Sequence, residues 1–336
     1  MQKTDAFVHP GLFFSKKDIA SIKDRVSKVA IVKQAYEVLM KDIPTTYHPK
    51  PHAVMDMGNT WGANTAQQAT TDLLDDGPQA YRHALAYMFT GDERYASNAL
   101  SIVKAWSTVN TKACGLGMPL YFAWSQPCFT RAMELLKYTY PKYNVNGVPV
   151  EKAYLHWLDE VVMENLTHKL SFVNNWLVSM TEARIQIAIF RDDLHSFNDA
   201  IDAFRTFLPQ VIEGSGLPQE VHRDLCHTQF TLGSLVAIAQ LAANQGVDIY
   251  MESGGLLLKA LETTASILLG EKPSVVNGIE LKQVSFHPAN WDAAYAHYVN
   301  IEHKPMPKTA LLLGKHRPEW TLWNWGGTTL TNYMGP

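Results

Sequence analysis

Cysteine is scarce in this chain of 336 residues: Cys114, Cys128 and Cys226 are the only three, and none forms a CxxC pair. A disulfide framework is thereby excluded, and no zinc pattern is offered. Excess charge is also missing. A net charge of −3 gives no general attraction to polyphosphate or an anionic bilayer, so neither nucleic acid nor membrane is expected as a partner. A local basic groove for a small carboxylate stays open. No uninterrupted apolar run reaches the roughly 18–20 residues that span a bilayer, and the chain is expected to be soluble. The segment after Met1 lacks the basic, apolar, small-residue order of a secretion signal. His222 and His227 are five apart rather than four, and no Asp-rich calcium loop occurs, so no metal and no required cofactor are expected. Strand-like alternation is rare, with short candidates near residues 143–150 and 274–285.

What the chain has is helical period and apolar content. Hydrophobic residues make up 46%, enough for a sizeable core, and no low-complexity linker divides residues 1–336, which predicts one domain. In "AYRHALAYMFTGDERYASNALSIVKAWS", two apolar-periodic stretches flank a Thr-Gly-Asp turn, as in an antiparallel helix pair. "NNWLVSMTEARIQIAIFRDD" leads likewise into "LHSFNDAIDAFRTFLP", and "LCHTQFTLGSLVAIAQLAANQG" into "DIYMESGGLLLKALETTASILLG". At least nine helices are expected. Successive hairpins without a fixed repeat predict an all-α fold, an (α/α) toroid or incomplete barrel of helical hairpins with a substrate cleft; an irregular helical solenoid is the competitor.

Loops between these helices mix aromatic and amide groups. "MGNTWGANTAQQ" holds Trp61, Asn64, Gln67 and Gln68, while "YFAWSQP" and "WTLWNWGG" add Trp124, Trp320, Trp323 and Trp325. Tryptophans are often simply core. Beside amides in loops, however, flat rings suit the apolar faces of pyranoses while the amides bond their hydroxyls.

Two helix starts carry the sharper pattern. Asn174 and Asn175 precede one apolar helix, and Glu220, His222, Arg223, Asp224, Cys226 and His227 crowd the start of another. If the second helix has begun by Arg223, that residue and His227 lie one turn apart on one face. Each has a plain alternative: one asparagine caps its helix, Arg223 pairs with Asp224 or Glu220, and His227 is a core histidine.

Taken together, "NNWLVSMTEARIQIAIFRDD", "GLPQEVHRDLCHTQFTLGSLVAIAQLAANQGVDIY" and "NWDAAYAHY" resemble the alginate-lyase-type polysaccharide lyases, a group of α/α-toroid enzymes that includes glucuronan-cleaving members. The likeness spans most of residues 78–300. It implies a lyase acting on an anionic polysaccharide or oligosaccharide, in a periplasmic or secreted setting. Asn174 or Asn175, with Arg223 and His227, would surround the substrate carboxylate, while a tyrosine exchanges protons. Trp176, His222 and Gln229, together with Trp61, Asn64, Gln67, Gln68 and Trp124, would line the substrate. Two departures stand out. Some members have Asn-Asn-His where this chain has Asn174-Asn175-Trp176, and a tyrosine seven residues after the arginine where this chain has Phe230. The tyrosine is therefore expected elsewhere, at Tyr295 or Tyr298.

The chemistry accounts for those residue types. The C5 proton of a uronate becomes acidic only once its carboxylate is neutralised, which amide, guanidinium or imidazolium donors achieve as charge moves onto the oxygens. A base then removes the proton and an acid protonates O4. In mannuronate and glucuronate both lie on one side of the ring, so a single tyrosine could serve; in guluronate they lie opposite, which suits His227 as base with a tyrosine as acid. Asp224 and Glu220 are expected to orient Arg223 and His227 from behind. Glycoside hydrolysis would instead need two carboxylates, with Asp192, Asp193, Glu220, Asp224 and Asp292 as candidates. A non-catalytic carbohydrate-binding scaffold would use the aromatic residues alone.

Overall fold

A computed structural model describes residues 2–59, 66–271, 275–276, 279–280, 284–287, 290–318 and 328–335. Among these, twelve helices of ten residues or more account for nearly all regular structure, and the strands are four pieces of two or three residues. Contacts divide the chain into two compact units: one is Leu39–Leu170, and the other takes Met1–Val38 and most of the chain from Ser171 onward.

The Leu39–Leu170 unit is built on the hairpin read from the Thr-Gly-Asp turn. Helix Gln67–Thr90 ends on Gly91, which adopts the left-handed φ of 72° and donates its N–H to the Tyr87 carbonyl at 2.8 Å. Asp92 then caps Glu93–Val109 by accepting from the Arg94 N–H. The first helix also packs along Met118–Thr139. Asp76, buried mid-helix, accepts from Tyr47 Oη at 2.7 Å, the Lys50 N–H at 2.8 Å and Trp106 Nε1 at 2.6 Å, fixing the incoming segment to both helices. The expected strand near 143–150 is instead helical, as Tyr143–Asn146 and Val148–Trp157. Pro149 explains the change, since its fixed φ and missing N–H suit the first turn of a helix. The other strand candidate does form, as a short antiparallel pair, Val275–Val276 with Ile279–Glu280.

In the second unit, helix Leu194–Val211 buries Phe197, Ala200, Ile201, Phe204, Phe207, Leu208 and Val211, a spacing of three and four that marks a helix with one covered face. Its hairpin partner Asn175–Phe190 and the neighbouring Leu225–Asn244 are instead buried on nearly every side, so these two are the centre of the unit. Their lining is not wholly apolar. Asn175, Ser179, Glu182 and Gln186 form a fully buried stripe, and Ser179 Oγ meets Ser234 Oγ at 3.2 Å between the two helices. Leu225–Asn244 is long and apolar enough to cross a membrane, but most of it is buried inside the protein, as in a core helix. The helix after Gly246 is regular only beyond Gly255, because Ser253, Gly254 and Gly255 all have left-handed φ.

Gly91 allows a clean test, because a Cβ there would meet nothing within 4 Å. Gly91→Ala should cost about 1–2 kcal/mol through left-handed backbone strain alone, read as a lower denaturation midpoint with an unchanged slope. An unaltered midpoint would show that the turn does not need this conformation.

Candidate active site

The two central helices begin with different capping solutions. Asn174 sits in extended backbone and its Oδ1 accepts the Trp176 N–H at 3.0 Å, so it is the N-cap of Asn175–Phe190. Asn175 is the first residue inside, at 0% exposure, and its N–H donates to Glu220 Oε1 at 3.2 Å. Neither Oδ1 nor Nδ2 of Asn175 has a hydrogen-bond partner among the described residues. A buried polar group left so costs about 1–3 kcal/mol, a penalty often met where a ligand supplies the partner.

The second start is organised by Asp224. Its Oδ1 accepts the His227 N–H and its Oδ2 accepts His227 Nδ1–H, both at 2.7 Å, while Arg223 Nε stands 3.9 Å from the same Oδ2. The helix begins at Leu225, so Arg223 precedes it and does not share a helical face with His227; a common carboxylate, not the helical period, joins them. Burial alone would raise the Asp224 carboxyl, but hydrogen bonds from the His227 backbone and ring, with the His227 and Arg223 charges, hold it below the ordinary range. The expectation that Glu220 orients Arg223 and His227 through its carboxylate is not met. That carboxylate holds Asn175, and the Glu220 carbonyl accepts the Arg223 and Asp224 N–H groups at 2.9 Å. With Nδ1 committed to Asp224, Nε2 is the His227 atom left for proton exchange.

Phe230 packs edge-on to the His227 ring at 5.6 Å and faces His287 at 6.2 Å. Gln229, expected among the substrate-lining residues, is wholly buried with its amide spent: Nε2 donates to the Ser285 carbonyl at 3.1 Å and Oε1 accepts the His287 N–H at 2.7 Å. It is a clamp that presents His287 beside Phe230, a neighbour that nothing in "SFHPAN" announced.

The two tyrosine candidates separate. Tyr298 is fully buried, donates Oη to the Tyr250 carbonyl at 2.7 Å, and burial pushes its phenol well above the usual range. Tyr295 makes no hydrogen bond through its hydroxyl to the described residues. Its ring lies 5.7 Å from the Arg317 guanidinium, which also covers Tyr333 at 4.7 Å and is held by Asp292 Oδ1 through Nε at 2.8 Å. Arg317, in "KHRPEW", is thus the cation beside Tyr295, and it carries no sequence signal because its partners are distant along the chain.

The remaining candidates are dispersed. Trp176 is half-buried with its ring edge-on to Phe172 at 6.2 Å, and His222 Nε2 pairs with Glu213 Oε1 at 3.1 Å. Gln67, Gln68 and Trp124 belong to the Leu39–Leu170 unit. Gln67 and Gln68 are exposed, Gln68 bonding Asp72 Oδ1 at 3.0 Å, and Trp124 stands edge-on to Tyr121 at 6.2 Å. Trp61, Asn64, Trp320, Trp323 and Trp325 lie outside the described residues.

With this geometry in hand, comparison with known proteins is specific. A family profile described as alginate lyase matches residues 19–274. Alginate lyase A1-III from Sphingomonas species A1 superposes with a TM-score of 0.75 at 17% identity, covering 95% of each chain. A tyrosine-to-phenylalanine variant of A1-III, complexed with tetrasaccharide, gives the same TM-score and identity over 95% of this chain and 94% of that one. An alginate lyase from Bacteroides ovatus gives 0.63 at 15% identity, over 98% of this chain and all of its own. Among curated proteins none matches significantly. The shared fold is the α/α toroid.

Asp224 yields a prediction of stability against pH. Its folded carboxyl titrates below the unfolded one, so its contribution is complete above the unfolded pKa of about 4 and is lost as pH falls through the depressed folded value. Asp224→Ala should therefore cost about 0.5–2 kcal/mol near neutrality, and the gap to wild type should close only in acid. Denaturant titrations showing a gap independent of pH would disprove the assignment.

Proposed function

Since the chain belongs to the alginate lyase family and is a polysaccharide lyase, we propose that it cleaves a β-1,4-linked uronate polymer, alginate or polymannuronate, with glucuronan as the alternative, by β-elimination at these two helix starts. The observation that carries the reading is the Asn175 amide, without a hydrogen-bond partner among the described residues, at the head of a buried helix. An amide so placed, at the positive end of its helix, suits the carboxylate whose charge grows as the C5 proton leaves. Because Asn175 is fully buried, substrate engages it only after neighbouring side chains move. His227 Nε2, aligned through Asp224, and the Tyr295 hydroxyl are the proton-transfer groups. The C5–H electron pair forms the C4=C5 double bond, the C4–O4 bond breaks, and O4 leaves with a proton. The tetrasaccharide held by the A1-III variant supports an oligosaccharide ligand, and alginate lyases are commonly secreted or periplasmic, which is the setting proposed here.

Hydrolysis is the weaker reading because its carboxylates are committed elsewhere. Asp193 and Asp224 cap helices, Asp192 pairs with His9, Glu220 holds Asn175, and Asp292 holds Arg317. Mannuronan, guluronan, glucuronan and glycosaminoglycans, each incubated with the protein, distinguish the cases. Elimination yields the ultraviolet absorbance of an unsaturated uronate, whereas new reducing ends without it would mean hydrolysis.

Variants test the roles. Asn175→Ala should lower kcat by ~10²-fold or more, whereas Asn174→Ala should cost about 1 kcal/mol of stability with turnover largely kept; equal turnover in both would remove the neutraliser. Tyr295→Phe should abolish elimination while the fold persists, and Tyr298→Phe should cost stability rather than chemistry. An active Tyr295→Phe would transfer the proton steps to His227 and a different acid.

A further inference from the structure

Asp248, His297 and Glu302 meet where helix Trp291–Asn300 ends, and the reaction above makes no use of them. One ligand atom from each lies within 4.8 Å of the others. His297 Nε2 is 3.1 Å from Asp248 Oδ2 and 3.8 Å from Glu302 Oε1. Donors bound at 2.0–2.2 Å around a tetrahedral ion stand about 3.4 Å apart, between those two separations.

The imidazole gives the second observation. His297 is only 4% exposed, yet Nε2 has no aligned hydrogen bond among the described residues although Asp248 Oδ2 is at contact distance. A common third partner would satisfy both atoms, because the lone pairs of Nε2 and Oδ2 could converge on it. The surroundings hold the set rigidly. Tyr250 stacks on the His297 ring at 3.8 Å and 18°, and its N–H donates to Asp248 Oδ1 at 3.0 Å, which leaves Oδ2 for another partner. Tyr250 is itself held by Tyr298 Oη at its carbonyl and by Gln240 Oε1, 3.0 Å from its own hydroxyl. The His297 carbonyl accepts both the Ile301 and Glu302 N–H groups, turning Glu302 back toward the ring. Outer partners that fix ring and carboxylate orientation are the usual support of metal ligands.

We propose that Asp248, His297 and Glu302 form a structural divalent-metal site that takes Zn²⁺ in preference to Mn²⁺. One neutral imidazole and two carboxylates match the charge of a divalent ion and combine the nitrogen and oxygen donors that zinc accepts. Asp248 and Glu302 are partly exposed, so water can enter to complete the shell. Sequence spacing does not reveal the set, since Asp248 is remote from the other two. His297 is two residues, or about 200° of helix, from Tyr295, so the ion would pin the tyrosine's helix to the Asp248–Tyr250 segment without touching the reacting groups. The inference stands whether or not the lyase reading does.

The test uses the full chain, stripped with chelator, dialysed and titrated with Zn²⁺ by calorimetry, with melting temperature read in parallel. One tight equivalent per chain is expected, raising the melting temperature, and both Asp248→Asn and Glu302→Gln should weaken it by ~10-fold or more while leaving a folded protein. These partly exposed positions spare the buried His297 from substitution. Binding equal in wild type and both variants would assign the zinc to other histidines. No binding, with an unmoved melting temperature, would show that the three side chains form a cluster without a metal. Either result overturns the proposal.

Discussion

A buried helix must satisfy its first N–H groups with something other than water, and this constraint shapes the whole candidate site. For Leu225–Asn244 the solution is Asp224, whose two oxygens take the His227 N–H and the His227 ring. The carboxylate that starts the helix thus also sets which imidazole nitrogen faces outward. For Asn175–Phe190 the cap is Asn174, and Glu220 takes the next N–H from across the helix interface. Ionisable residues crowd "EVHRDLCH" because the same short stretch must begin one central helix and support the start of another, and in the function proposed above it also carries the reactive groups.

Local signals explain what the sequence made legible. The hairpin turns at Gly91 and Asp192–Asp193 could be read because capping and left-handed turns depend on a few adjacent residues. The residue types at the two helix starts were legible for the same reason, though not their geometry: assuming that the helix had begun by Arg223 placed that residue one turn from His227 on a shared face. The 143–150 stretch misled because "YNVNGVPV" alternates like a strand while Pro149 favours a helical first turn. Long-range partners were beyond reach. Nothing near Tyr298 indicates that its hydroxyl is spent on Tyr250, nothing near Tyr295 points to Arg317, and nothing near Gln229 points to Ser285 and His287.

Tyr295 and Tyr298 show how burial sorts chemically equal residues. Both lie on Trp291–Asn300, three positions apart; one phenol anchors Tyr250 in the core, while the other, beside a guanidinium, makes no hydroxyl hydrogen bond among the described residues. Arg317 is itself balanced by Asp292, so Tyr295 sits against an ion pair rather than a lone cation. Phe230 places an apolar ring between those of His227 and His287.

The Gln229 clamp has an evolutionary consequence. Its amide joins the backbone at Ser285 and His287, 56 and 58 residues further on, so the intervening chain, helix Glu252–Leu268 included, is closed at its base by two hydrogen bonds. Closure entropy rises only slowly with length, each doubling costing about 0.6 kcal/mol. Insertions or deletions between Leu269 and Val284 can therefore accumulate in descendants of this chain while Phe230 and His287 stay in register.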